Sequence, residues 1–187
     1  GRTGRLFAVD HEGVRPDILC CGKAMGGGLP IAAVIARREL FRCWETSGEA
    51  RHTATFIANP LACAAALAAV TVIQESDLPA RAARLGEELG GRLSTWPQRF
   101  SAVEEVRGQG LLWGIQFRTA SNAKSWMLAA WSRGVLLLAG GPEGRVAQIV
   151  PPLTIREEQL AAAVGILEEE LEGISAPSAT PGASATS

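Results

Sequence analysis

Cys21-Gly-Lys-Ala-Met-Gly-Gly-Gly-Leu-Pro30 is the stretch on which the reading of this 187-residue chain turns. It follows a short apolar run, Asp17-Ile-Leu-Cys-Cys, which ends at Gly22 and reads as a buried strand. A lysine set among glycines fits two devices. One is the phosphate-cradling loop, which needs a glycine five positions before Gly22 and a hydroxyl residue after the lysine. Asp17 and Ala24 hold those positions, so that match fails. The other is a lysine whose amine leaves a strand end, attacks a carbonyl carbon and later serves as a mobile base. Flanking glycines suit it, because they let the backbone approach a flat ring without side-chain collision. An exposed lysine in a plain turn is the alternative. It is weakened by the apolar strand directly ahead, where few lysines belong.

Working outward, strand-like and helix-like segments alternate, as in a mixed α/β chain. Ile31 to Ala36 reads as a second strand, and Arg38 to Trp44 as a short amphipathic helix. Asn59-Pro60 starts a helix, with Asn as the cap and Pro at the first helical position. That helix, to about Ser76, is Ala-rich on nearly every face and is expected to be buried. Leu78 to Leu93 is a more charged helix that Gly86, Gly90 and Gly91 should weaken. Val103 to Arg107 and Leu111 to Phe117 read as strands around Gly108-Gln-Gly110, and Asn122 to Arg133 as a helix ending at Gly134. Val135 to Leu138 and Val146 to Val150 read as short strands. Ile155 to Leu171 closes as a helix with Leu160, Val164, Leu167 and Leu171 on one stripe. A boundary is expected near Ser76-Asp77, and residues 174–187 are too polar and small to bury a core, so they read as a disordered tail.

Composition narrows the function classes. Lys+Arg 18 against Asp+Glu 19 gives a formal charge of −1, which leaves no electrostatic footprint for nucleic acid or an anionic membrane. The 47% apolar fraction argues against intrinsic disorder. The longest apolar run, Leu61 to Ile73 with Thr71 inside it, falls short of the ~18 residues that span a bilayer. Cys20, Cys21, Cys43 and Cys63 form no ligand pair with His11 or His52, so they are expected to be small core residues in a reducing, cytoplasmic compartment, with no metal site. Of the basic residues only Lys23 and Lys124 are lysines, and Lys124 reads as a solvated helix residue.

His52-Thr-Ala-Thr-Phe-Ile-Ala-Asn-Pro60 adds hydroxyls and a turn before a helix N-terminus, a place that favours an anion. With it, four ordered blocks carry a resemblance: Gly1-Arg-Thr-Gly-Arg-Leu-Phe through Gly22-Lys-Ala-Met-Gly-Gly-Gly-Leu-Pro, His52 to Cys63, Val106-Arg-Gly-Gln-Gly-Leu-Leu-Trp-Gly, and Val150-Pro-Pro-Leu-Thr-Ile. From residue 1 to about 172 the chain resembles the class III pyridoxal-phosphate-dependent aminotransferases, the group of ornithine, acetylornithine and 4-aminobutyrate aminotransferases. The resemblance implies an aspartate-aminotransferase-like (type I) α/β fold. Residues 1–76 would be the end of the large cofactor-binding domain, 77–173 a small C-terminal α+β domain and 174–187 the tail. It implies that pyridoxal 5'-phosphate is the cofactor, that Lys23 is its Schiff-base lysine and the proton shuttle, and that Thr55 binds its phosphate. It further implies a homodimer with shared active sites, taking an amino donor and a 2-oxo acid acceptor.

Two departures follow. The upstream Asp for the pyridine nitrogen, the phosphate turn and the ring-stacking aromatic of the family are not in the chain, so it is expected to be a C-terminal fragment without full activity alone. Relatives place an Arg two residues before the apolar-Pro-Pro-Leu block, to clamp the substrate carboxylate. Here Gln148 stands at that position and Arg145 lies three residues earlier, at an offset that points to the opposite strand face. Gln148 is therefore the expected substrate-binding residue, and ω-amino acids or amines the expected donors. An aminomutase or racemase of the same fold and a non-catalytic truncated module are the competing readings.

Overall fold

In the computed structural model, residues 1–44 and 52–175 are described, the Cys43 side chain excepted. The chain divides into two compact units, Gly1–Arg81 and Ala82–Ser187. Residues 176–187, most of the expected tail, lie outside the described residues, as does the Cys43 side chain.

The first unit is built on a two-stranded antiparallel sheet. Strand β1 (Ile18–Gly22) pairs with β2 (Ala32–Ala36), with Ile18 opposite Ala36 and Gly22 opposite Ala32. Arg37 and Asp17 form an exposed ion pair at 2.6 Å at the open end. Lys23–Gly26 makes a single 3-10 turn directly after β1. Helix α1 (Arg38–Phe41) is short and continues as a 3-10 turn over Arg42–Trp44. Helix α2 (Pro60–Glu75) starts where the sequence places it, with Asn59 as cap and Pro60 at the first position.

Two expectations fail in this unit. Of α2, only Ala62 and Ala66 are buried, while Leu61 and Leu67 are about 70% exposed. Alanine on every face yields no directional stripe, and within this unit the Lys23–Gly26 turn packs on one side of the helix only. The cysteines also miss the core: Cys20 and Cys63 are exposed, and Cys21 is half-buried.

The second unit is a four-stranded antiparallel sheet covered by helices. Its elements are α3 (Leu78–Leu93, which crosses the division between the units), α4 (Trp96–Arg99), β3 (Val103–Gln109) and β4 (Leu112–Phe117). They are followed by α5 (Ala120–Ser132), β5 (Leu138–Gly140), β6 (Val146–Ile149) and α6 (Glu157–Ser175). The strand order is β3-β4-β6-β5. Helix α6 extends to Ser175, two residues into the stretch expected as tail.

Strand alternation decides which side chains enter the core. Ile115 and Phe117 of β4, with Ala147 and Ile149 of β6, are buried. Leu160, Val164, Leu167 and Leu171 cover them from α6, the stripe read from the sequence. Trp126 of α5 sits at the centre, 5.2 Å from the Phe117 ring and 6.0 Å from Trp96, and donates its Nε1–H to the Leu167 carbonyl at 3.0 Å. That bond satisfies the one polar atom the ring brings inside. The opposite face of the sheet carries Gly114, Gln116, Val146 and Gln148, which are only half-buried. Among the described residues, no single helix is long and apolar enough to cross a membrane.

Candidate active site

Gly22 is fully extended at φ 178°, and the backbone then swings into the left-handed region at Lys23, φ 55°. An L-residue adopts that conformation at a cost of about 1–2 kcal/mol, so the surroundings must hold it there. They do so by close backbone packing. A methyl on Gly26 would stand 2.9 Å from Ile31 Cγ2, and one on Gly27 would stand 3.2 Å from Ala69 Cβ and 3.3 Å from the Ala65 carbonyl of α2. The turn closes with the Gly27 N–H donating to the Ala24 carbonyl at 3.2 Å. Beneath it, Cys21 Sγ lies 3.7 Å from Met25 Sδ and 3.7 Å from the Ala33 carbonyl. Lys23 itself is exposed, and its amine has no hydrogen bond or ion pair among the described residues. The lysine is thus held at the backbone and free at Nζ.

Thr55 opens the turn of residues 55–58 that leads into α2 and is exposed. Backbone bonds from Ile57 to the Ala54 carbonyl (3.1 Å) and from Asn59 to the Phe56 carbonyl (3.2 Å) shape the turn, with Ala58 left-handed at φ 53°. The Asn59 side-chain oxygen accepts from the N–H groups of Leu61 and Ala62, both at 3.1 Å. Two of the donors that an anion would use at this helix start are therefore already taken. The Thr55 hydroxyl remains exposed for an anion, as does that of Thr53. Lys124 is exposed on α5, as read from the sequence.

Gln148 belongs to the second unit, so the three expected site residues divide two and one between the units. It lies on the open sheet face, opposite in direction to buried Ala147 and Ile149. Its cross-strand neighbours are Gly114 on β4 and Leu138 on β5. The side chain runs over Gly140, where an added methyl would meet Nε2 at 2.5 Å. The proximity of Gly140 to Gln148 depends on the β5–β6 register, which the sequence does not display.

The arginines of this sheet are committed elsewhere. Arg145 stands just ahead of β6 and binds Glu104 at 3.0 Å and Glu143 at 2.7 Å. Arg107, in the same cross-strand row as Gly114 and Gln148, turns instead to Glu105 at 2.8 Å and the Gln116 oxygen at 2.9 Å. Arg118 donates to the Ser101 carbonyl at 2.9 Å. Glu104 is held below its ordinary carboxylate pKa, first by the Gln116 amide and then by the charges of Arg145 and Arg118.

Comparison with known proteins places this geometry in context. The sequence model of the family described as Aminotransferase class-III matches residues 1–171. The chain is 37% identical over 182 residues to the leucine/methionine racemase of Thermococcus litoralis, covering 93% of this chain and 40% of that protein. It is 42% identical over 171 residues to the acetylornithine aminotransferase of Methanopyrus kandleri, covering 91% and 42% respectively. Among solved structures, the ornithine aminotransferase of Toxoplasma gondii aligns with a TM-score of 0.84 at 34% identity, over 92% of this chain and 40% of that one. That structure, crystallised with oxidised glutathione, shows partial occupancy of PLP at its active site. The chain spans about two fifths of the length of the curated relatives it matches.

Proposed function

The chain belongs to the class-III aminotransferase family, and from that premise we propose that it carries the cofactor lysine of a pyridoxal-phosphate-dependent transaminase. The reaction moves an amino group from an amino acid, ω-amino acid or amine to a 2-oxo acid. The carrying observation is Lys23: a left-handed backbone fixed by glycine packing at a strand end, with a free amine. A lysine serving only as a surface charge needs neither feature.

The residues fit pyridoxal phosphate. Ala24 is small and exposed, Gly28 has open space where a Cβ would stand, and Lys23 Nζ is unengaged among the described residues, so the backbone beside Lys23 is open to a flat ring. When bound, the cofactor supplies an electron sink for the pair left on the donor's amine-bearing carbon. With the cofactor bound, Lys23 Nζ would hold it covalently and, once freed, would carry the proton between the donor's amine-bearing carbon and the cofactor within each half of the transfer. The exposed Thr55 Oγ1–H would donate to its phosphate. Gln148 is the proposed substrate-binding residue of the second unit. The active assembly is a cytoplasmic homodimer with shared sites.

Racemisation is the second reading, favoured by the 37% identity to the Thermococcus litoralis racemase. Both chemistries keep the lysine. They differ in whether an added 2-oxo acid receives the amino group: transfer to that acid identifies the transaminase, and turnover that ignores it identifies the isomerase.

Borohydride reduction of the complete cofactor-loaded protein, followed by peptide mapping, tests the assignment of Lys23. The expected product is a phosphopyridoxyl adduct on Lys23 alone. An adduct on Lys124, or none, would overturn it.

A further inference from the structure

The Lys23 turn rests on α2 through Gly27. A methyl there would stand 3.2 Å from Ala69 Cβ, 3.3 Å from the Ala65 carbonyl oxygen and 3.9 Å from its carbon. Carbon atoms in ordinary contact stand about 3.5–4.0 Å apart, so turn and helix already meet with no space for a further group. Ala62, Ala65, Ala66 and Ala69 recur at helical spacing along this side of α2; Ala62 and Ala66 are buried, Ala65 and Ala69 half-buried. The larger Leu61, Leu67 and Val72 are exposed. Asn59 fixes the start of the helix through its bonds to the Leu61 and Ala62 N–H groups, which makes α2 a firm support for what rests on it.

Within the turn, the Gly27 N–H donates to the Ala24 carbonyl at 3.2 Å and the Leu29 N–H to the Gly26 carbonyl at 3.0 Å. These bonds tie Gly27 to the residue directly after Lys23, so a displacement at Gly27 reaches the lysine backbone within one turn. On the hairpin side, a methyl on Gly26 would stand 2.9 Å from Ile31 Cγ2. The turn is therefore held from both sides, and a push from α2 is not absorbed there.

Resting on the transaminase reading of Lys23, we propose that Ala69 is a positioning residue for the lysine amine. It acts through Gly27: the size of the side chain at position 69 decides how far the turn stands off α2, and therefore where Nζ is held for proton transfer. That transfer needs heavy atoms about 2.6–3.2 Å apart, and a misplacement of about 1 Å can cost on the order of a hundredfold in rate. A small residue at position 69 is thus a requirement of the chemistry, beyond its part in packing the first unit.

The test varies size at position 69 in the complete enzyme, with Ala69→Ser and Ala69→Val. Valine brings two γ-methyls to the contact, and its stiff χ1 gives them little freedom to turn aside. With pyridoxal phosphate, one amino donor and one 2-oxo acid, Ala69→Val should lose about tenfold or more in kcat while the donor KM changes less than about twofold. Ala69→Ser should keep kcat within about threefold of wild type. In the cofactor-free enzyme, hydrogen exchange in the peptide holding residues 24–29 should be about tenfold faster in Ala69→Val and unchanged in Ala69→Ser. Gly27→Ala closes the same contact from the other side and adds backbone strain of its own at φ 58°. Combining it with Ala69→Gly should recover severalfold of the kcat it loses, and that pair decides the matter if Ala69→Val does not fold. Values of kcat and exchange that ignore the size of residue 69, or that follow the melting temperatures of the variants instead, would overturn the proposal. So would a double variant no faster than Gly27→Ala alone. No transfer by the unaltered enzyme would overturn the transaminase reading instead, and exchange in the cofactor-free protein would still decide whether position 69 sets the turn.

Discussion

A left-handed backbone suits glycine, yet position 23 carries a lysine at φ 55°. The strain is tolerated because the glycines after it fasten the turn to α2, and the proposed chemistry gives an amine there a use. Two truncations separate these effects. Both Lys23→Ala and Lys23→Gly should abolish cofactor attachment, while Lys23→Gly should be the more stable by about 1 kcal/mol in urea denaturation, since only alanine keeps the Cβ clash. Equal stability would mean the backbone is not held where it is drawn. Glu168 is a different residue-scale device. It accepts from Arg92 at 2.6 and 3.1 Å, from Trp96 Nε1 at 2.9 Å and from Arg99 at 2.9 Å. Arg92 foremost, then Trp96 and Arg99, hold its pKa down at about 2, against an ordinary 4.5. A depressed carboxylate stabilises the fold above its unfolded pKa and loses that contribution as pH falls through its folded one. Glu168→Gln should therefore cost about 2–3 kcal/mol at pH 7, with the gap to wild type closing between pH 4.5 and 2, followed by denaturation at each pH. Lys23 was legible because its motif is local. Glu168 was not, because its partners lie 69 to 76 residues away on other helices.

At the scale of elements, periodicity read the sheet and α6 well, since alternation and a four-residue stripe are imposed by one-sided burial. It failed where composition is uniform. Helix α2 is apolar on every face, and its pattern could not say which face is covered. The glycines of α3 show a subtler limit. They read as weaknesses, but a methyl on Gly86 would stand 2.3 Å from the Gly110 carbonyl oxygen, and one on Gly90 2.6 Å from the Trp113 ring. These glycines let the helix lie directly on the β3–β4 turn. Gly91, one position on, faces open space. The pair gives opposite expectations from one substitution. Gly86→Ala gains helix propensity of about 1 kcal/mol but collides with backbone that cannot rotate away, for a net loss of about 1–2 kcal/mol. Gly91→Ala keeps the gain and should stabilise by up to about 1 kcal/mol. Thermal melts of the two variants against wild type measure both. A Gly86→Ala protein as stable as wild type would show that the helix can lift from the turn at no cost.

For the molecule as a whole, the two units differ in what they bury. The second has a continuous core that includes Trp96, Phe117, Trp126, Leu167 and Leu171. The first buries Ala62, Ala66 and Leu78, and leaves Phe56, Ile57, Leu61 and Leu67 exposed. The sequence placed the division near Ser76-Asp77, whereas the units meet at Arg81 and Ala82, inside α3. That displacement is physical: Ala82, Leu85, Leu89 and Leu93 all face the core of the second unit, so most of the helix follows it. Local stability tracks buried apolar contact, and exposed apolar surface of this extent is usually covered by another surface. In the 187-residue chain by itself, amide hydrogens of β4, β6, α5 and α6 should exchange at least about a hundredfold more slowly than those of β1, β2 and α2. A dye that binds apolar surface should be taken up by the chain and lost on deleting residues 1–76. In the complete enzyme, where other chain or a second subunit can cover α2, its amides should slow toward those of the second unit. If α2 is already as protected in the short chain as α6, the first unit stands by itself, and its exposed leucines need no partner.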